Sequence, residues 1–93
     1  MKYKVGDKIK FRSEKQRYTV QACDDRFLVC TKPFNCKRTV LYTIVDLKLN
    51  IRGTENLIFC CGFETRKLCE EALDRLQKGA SEISRRNLIL LDI

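Results

Sequence analysis

Six cysteines, Cys23, Cys30, Cys36, Cys60, Cys61 and Cys69, are the side chains of this 93-residue sequence with the widest chemical repertoire. With no histidine in the chain, a zinc ion would need four of these thiolates, supplied as closely spaced pairs. The intervening gaps are six, five, 23, zero and seven residues, so no C-x-x-C pair exists and no metal is expected. Disulfides belong to oxidising compartments, and Met1-Lys2-Tyr3-Lys4-Val5-Gly6-Asp7 has no apolar core of a secretory signal. Reduced thiols in a cytoplasmic protein are therefore expected, most of them packing as small hydrophobes. Cys30 closes the apolar run Phe27-Leu28-Val29, Cys60 follows Leu57-Ile58-Phe59, and Cys69 falls on a helix face.

Catalysis has few players. Without histidine, neither serine nor cysteine has its usual general base. Cys36, between Asn35 and Lys37, is the one thiol with basic neighbours to activate it. Asp24-Asp25 and Glu70-Glu71 are carboxylate pairs by adjacency alone, the first reading as a turn and the second as a helix surface. Gly6, Gly53, Gly62 and Gly79 are too scattered for a phosphate-cradling loop. The chain reads as a non-enzymatic protein without a cofactor.

Binding has better material. Residues 32–38 read as a loop that sets Phe34 and Asn35 between Lys32 and the pair Lys37-Arg38. An aromatic among cations stacks on a base while its neighbours neutralise phosphates, and it equally anchors a protein interface. The bland alternative is that Phe34 folds back as a lid on the end of the sheet. Arg85, Arg86 and Asn87, after Ser84, form a second candidate. Their guanidinium forks suit a carboxylate or phosphate, or else the open carbonyls of a helix–strand junction.

Charge points the same way. Lys and Arg number 19 against 12 Asp and Glu, a net +7. Residues 1–20 carry +5 of this, residues 21–50 carry +2, and residues 51–93 balance to zero. A basic half next to a neutral half attracts phosphate or an acidic protein surface. Lysines at alternate strand positions are also what keeps a sheet edge soluble. The expected partners are a host protein or an anionic ligand, nucleotide or nucleic acid. No run approaches the roughly 20 apolar residues of a membrane span, so no membrane is expected. An open sheet edge would allow a homodimer.

The elements that must position these residues are mostly strands. Lys8-Ile9-Lys10-Phe11-Arg12 and Arg17-Tyr18-Thr19-Val20-Gln21-Ala22 alternate polar with apolar. Arg26-Phe27-Leu28-Val29-Cys30-Thr31 follows the Asp24-Asp25 turn, and Pro33 should end it because proline cannot donate to a ladder. Val40 to Leu47 reads as a long central strand, apolar on both faces. Asn50 to Thr54 carries turn chemistry, and Asn56 to Cys60 is a short strand. Thr65 can cap a helix that buries Leu68, Cys69, Ala72, Leu73 and Leu76 and stops at Gly79. Ile89, Leu91 and Ile93 alternate as a last strand. The expectation is one α+β domain over 1–93: mainly β in 1–62, helix in 64–79, closing strand in 84–93. The sheet should be small, antiparallel and strongly bent, or a barrel, with five to six strands and one helix near the C-terminus.

Lys4-Val5-Gly6-Asp7-Lys8-Ile9-Lys10-Phe11 resembles the opening strand of small Src-homology-type β-barrels. Glu14-Lys15-Gln16-Arg17-Tyr18-Thr19-Val20, Cys30-Thr31-Lys32-Pro33-Phe34-Asn35, Leu41-Tyr42-Thr43-Ile44-Val45-Asp46 and Ser84-Arg85-Arg86-Asn87 are more specific. Together, over nearly the whole chain, they resemble a family of small proteins from bacteriophages, prophages and other mobile elements. Cys60 and Cys61 depart from the glycine-containing stretch expected there, which further disfavours a shared metal site. The family supplies context and no activity. It implies a stoichiometric binder in the host bacterial cytosol that inhibits a defence system, by engaging a host protein or by sequestering an anionic nucleotide signal. A basic small barrel that binds nucleic acid is the alternative.

Overall fold

The period-2 alternation of the first half does build antiparallel ladders. The computed structural model describes residues 3–34, 36–53, 56–59, 62–80 and 88–90, with the backbone alone at 36–38, 56–59 and 88–89. Among these residues seven strands and one helix follow in the order β1 (Lys8–Ile9), β2 (Tyr18–Cys23), β3 (Phe27–Phe34), β4 (Cys36–Asp46), β5 (Ile51–Gly53), β6 (Asn56–Phe59), α1 (Phe63–Gln77) and β7 (Leu88–Leu90). All pair antiparallel along the path β1-β2-β3-β4-β5-β7, with β6 also on β4. The architecture is the expected α+β one. Among the described residues β1 and β7 do not pair, so the sheet is open rather than a closed barrel.

Two segments differ from their sequence reading. Ile51–Gly53, read as turn chemistry, is a strand, because the turn comes earlier, at 47–50, and closes at Asn50, which takes the left-handed φ of 56°. Arg52 and Gly53 then pair with Ile89 and Leu88. Residues 32–34 and 36–38, read as parts of a loop, lie in paired strands, with β3 running on through Pro33 to Phe34. The last β2–β3 pair is Thr19–Thr31, so Pro33 lies beyond that ladder on a local edge, where a missing N–H is tolerated.

The sheet must bend sharply. β1 and β5 are four strands apart on the path, about 19 Å if flat. Yet the Arg52 guanidinium of β5 lies 4.0 Å over the ring of Phe11, just after β1, and donates to Ser13 Oγ at 3.0 Å. Ile9, Phe11, Tyr18, Val20, Leu28, Cys30 and Val45 pack together on the inner face. Phe11 and Tyr18 meet edge to face at 5.3 Å. The helix covers part of the outer face, where Cys69, Ala72 and Leu76 pack on Ala22, Phe27, Val29 and Ile44.

A β-bulge shifts the facing of β2 part-way along its length. Val20 pairs with Cys30 and Ala22 with Val29, leaving Gln21 as the extra residue. Tyr18 and Val20 therefore face inward while Ala22, two residues on, faces the helix. The next turn is held by Asp24, whose Oδ1 accepts the amides of Arg26 and Phe27 at 2.8 and 2.7 Å. Its Oδ2 accepts from Gln77 at the end of α1. Asp24-Asp25 is thus turn chemistry, as its sequence suggests.

The helix begins two residues before the expected cap. Gly62 is the N-cap residue and makes no side-chain cap bond, while Thr65 sits inside the first turn on the buried stripe with Cys69, Ala72 and Leu76. Leu68 is 38% exposed instead of buried. At the far end Gly79 takes φ 93°. The Gly79 amide bonds to Leu76 O and the Ala80 amide to Arg75 O, a Schellman stop. Asp74 and Lys78 form the expected i,i+4 pair at 2.9 Å.

Cys30 and Cys69 are fully buried and Cys23 is half-buried, all as free thiols. Burial, reinforced by the neighbouring thiols, pushes the Cys30 pKa far up, so it is an inert core group. Iodoacetamide at neutral pH should label Cys30 in the unfolded chain and leave it unlabelled in the folded one. Labelling of the folded chain at the rate of a free thiol would contradict that packing. Cys36 lies in β4, and Cys60 and Cys61 lie outside the described residues. Among the described residues no helix is long and apolar enough to cross a membrane.

Candidate binding face

The β3–β4 hairpin decides where the first candidate cluster goes. Thr31 and Pro33 alternate with Lys32, so Lys32 faces inward with Cys30. Its ammonium stands 4.9 Å over the Tyr18 ring and 3.3 Å from Glu14 Oε2, with its side chain only 12% exposed. Glu14 Oε1 is 3.7 Å from Arg52 Nη1, and the Arg52 side chain is 1% exposed. Lys32 therefore belongs to an internal charge cluster. Phe34, at the end of β3, is 39% exposed, so it does not fold fully onto the sheet end. Thr39 Oγ1 donates to the Phe34 carbonyl at 3.1 Å and ties the hairpin end together. Lys37 and Arg38 begin β4 on the same hairpin. Asn35, Arg85, Arg86 and Asn87 lie outside the described residues.

A shallow groove opens beside this hairpin on the outer face. It holds about 180 Å³ and is lined by Thr19, Gln21, Thr31, Pro33, Val40, Gly62 and Thr65. Pro33 and Val40 are paired across the hairpin one step from Phe34, so groove and hairpin end are continuous. The volume is below the roughly 300 Å³ of a pocket for a whole drug-sized ligand, and suits one moiety of a larger molecule. Gln21 Nε2 donates to Thr31 Oγ1 at 3.0 Å, and Lys8 Nζ donates to Thr19 Oγ1 at 2.6 Å. Lys8, Thr19, Thr31 and Tyr42 form one register row across four strands.

Sequence reasoning missed this row. Thr19 and Thr31 sit between inward-facing residues, so alternation did place them on the outer face. What could not be read was that the helix covers only part of that face.

Both oxygens of Asp24 are engaged, and Glu70 and Glu71 are exposed on α1. Among the described residues no three His, Cys, Asp or Glu side chains gather as metal ligands would. Lys4, Lys8, Lys10, Arg12, Lys15 and Arg17, by contrast, are all solvent-exposed. Comparison with known protein families, curated proteins and solved structures finds no match for the chain.

Proposed function

We propose that the chain is a non-enzymatic binding module that engages a phosphate-bearing nucleotide, or an acidic surface of a host protein, through the β3–β4 hairpin end. The observation that carries this reading is the exposed Phe34 on a hairpin that also bears Lys37 and Arg38, with a polar groove alongside. An aromatic plane supplies stacking and the cations supply charge. The small-ligand form is favoured because the groove is concave and too small for a protein segment of any length. In the setting implied by the resemblance to phage and mobile-element proteins, such capture would sequester a nucleotide signal and so inhibit a bacterial defence system.

The test is a pull-down of the tagged chain from bacterial lysate, with mass spectrometry of proteins and of small anions released on heating. Phe34→Ala combined with Lys37→Glu should abolish capture while leaving the melting temperature nearly unchanged. Capture that survives this pair would remove the hairpin from the function, and a large drop in melting temperature would make Phe34 a core residue. The run of exposed cations from Lys4 to Arg17 favours nucleic-acid binding as the second reading. That reading requires oligonucleotide affinity that falls steeply with salt as counterions are released.

A further inference from the structure

We infer that the uncovered part of the outer sheet face is a subsite for the phosphate of a small ligand, with Lys8 as its principal cation. The inference rests on the small-ligand form of the function proposed above and assigns it a place. Lys8 pairs with Thr19, and Ile9 with Tyr18. Continuing that register sets Lys10 against Arg17, both exposed. Among the described residues no carboxylate forms an ion pair with Lys8, Lys10 or Arg17. Like charges set opposite each other destabilise a strand pair, and a bound anion relieves that repulsion. This corner is therefore complementary to a dianionic group before any ligand arrives.

The groove supplies what charge alone lacks. Thr19 joins the two regions, because it lines the groove and its hydroxyl accepts from the Lys8 ammonium. That bond leaves the ammonium two further donors and points the Thr19 hydroxyl proton elsewhere. Thr31 and Gln21 extend the row of hydroxyl and amide groups inward, suited to the hydroxyls of a sugar. Pro33 and Val40 form the apolar wall. Phosphate at the rim and sugar in the groove is the order in which a nucleotide presents these groups.

Titration of the 15N-labelled full chain with pyrophosphate, ADP and a short single-stranded oligonucleotide tests this. ADP should shift the amides of Lys8, Thr19, Gln21 and Thr31. Lys8→Gln should weaken ADP roughly tenfold, the loss of one charge-assisted hydrogen bond, and should weaken pyrophosphate similarly. Thr31→Val, which keeps the buried volume, should weaken ADP several-fold and leave pyrophosphate unaffected. ADP affinity unmoved by both substitutions overturns the subsite. If it then falls with Phe34→Ala and Lys37→Glu, the hairpin reading stands without the groove. Absence of any shift with pyrophosphate and ADP at millimolar concentration also overturns the subsite. An oligonucleotide that binds while ADP does not transfers the cationic corner to nucleic acid and overturns it equally.

Discussion

Glu14→Ala lowers stability by about 3 kcal/mol, the loss expected when one partner of a buried ion cluster is removed. For a chain of this size the melting temperature then falls by more than about 10 °C. Glu14 stands between two cations, Lys32 at 3.3 Å and Arg52 at 3.7 Å. Both cations lie over aromatic rings, Lys32 over Tyr18 and Arg52 over Phe11, with little access to water. Removing the carboxylate takes away a counter-charge that both cations share at a site with little access to water. The asymmetry is the test. Lys32→Met keeps an apolar stem over Tyr18 and leaves Glu14 with Arg52, so its cost should be well below that of Glu14→Ala. Glu14→Leu combined with Lys32→Met and Arg52→Met should recover most of the loss, because well-packed apolar replacements of buried ion clusters are often neutral. Thermal unfolding of the set decides it. A loss below about 1 kcal/mol for Glu14→Ala would place the cluster among ordinary surface pairs.

Asp46→Ala should cost about 2–3 kcal/mol, from charge-assisted hydrogen bonds in a nearly buried site. Arg26 clamps this carboxylate with two bonds, at 3.1 and 2.9 Å. The amides of Lys48 and Leu49 bond to Oδ1 at 3.0 and 3.1 Å and shape the turn into β5. Burial alone would raise the Asp46 pKa, but Arg26 and the two amides outweigh it and hold the carboxyl below its usual value. Asp24 is lowered likewise, its own burial outweighed by the Phe27 and Arg26 amides and by Gln77. A carboxyl with a depressed folded pKa contributes stability above its unfolded value of about 3.9. That contribution is lost as pH falls through the folded value. Asp46→Asn keeps an acceptor for the turn amides and loses only the ionic part. Its deficit against the native chain should therefore be constant from pH 7 to about 5 and close as pH falls below about 4. A deficit that persists unchanged at low pH would show the carboxylate charge to be irrelevant.

The ladders were legible where burial on one face imposed alternation, as in Tyr18, Thr19 and Val20. The stop at Gly79 was legible because a left-handed position after a helix calls for glycine. Three features were not, and each depends on contacts distant in the chain. Ile51–Gly53 is a strand because β7 arrives beside it. Pro33 is accommodated because β2 has already ended. Lys32 reads as a surface cation until Glu14 and Tyr18, distant in sequence, are brought to it. Phe34 is exposed at the end of β3, while the groove beside it depends on how far α1 extends over the sheet.

The bulge at Gln21 has a consequence for how this chain can vary. The identity of residue 21 is lightly constrained, since its side chain is half-exposed and reaches only Thr31. Its presence sets the shape of the strand rather than its facing. Without it Ala22 would follow Val20 directly and still lie opposite Val29, so Ala22 would keep facing the helix and Cys23 the inner face. What would go is the extra bend and twist that a bulge gives a strand. The residue count between Tyr18 and Phe27 therefore tunes the curvature of the sheet, and a relative one residue shorter there would keep both apolar layers with their partners.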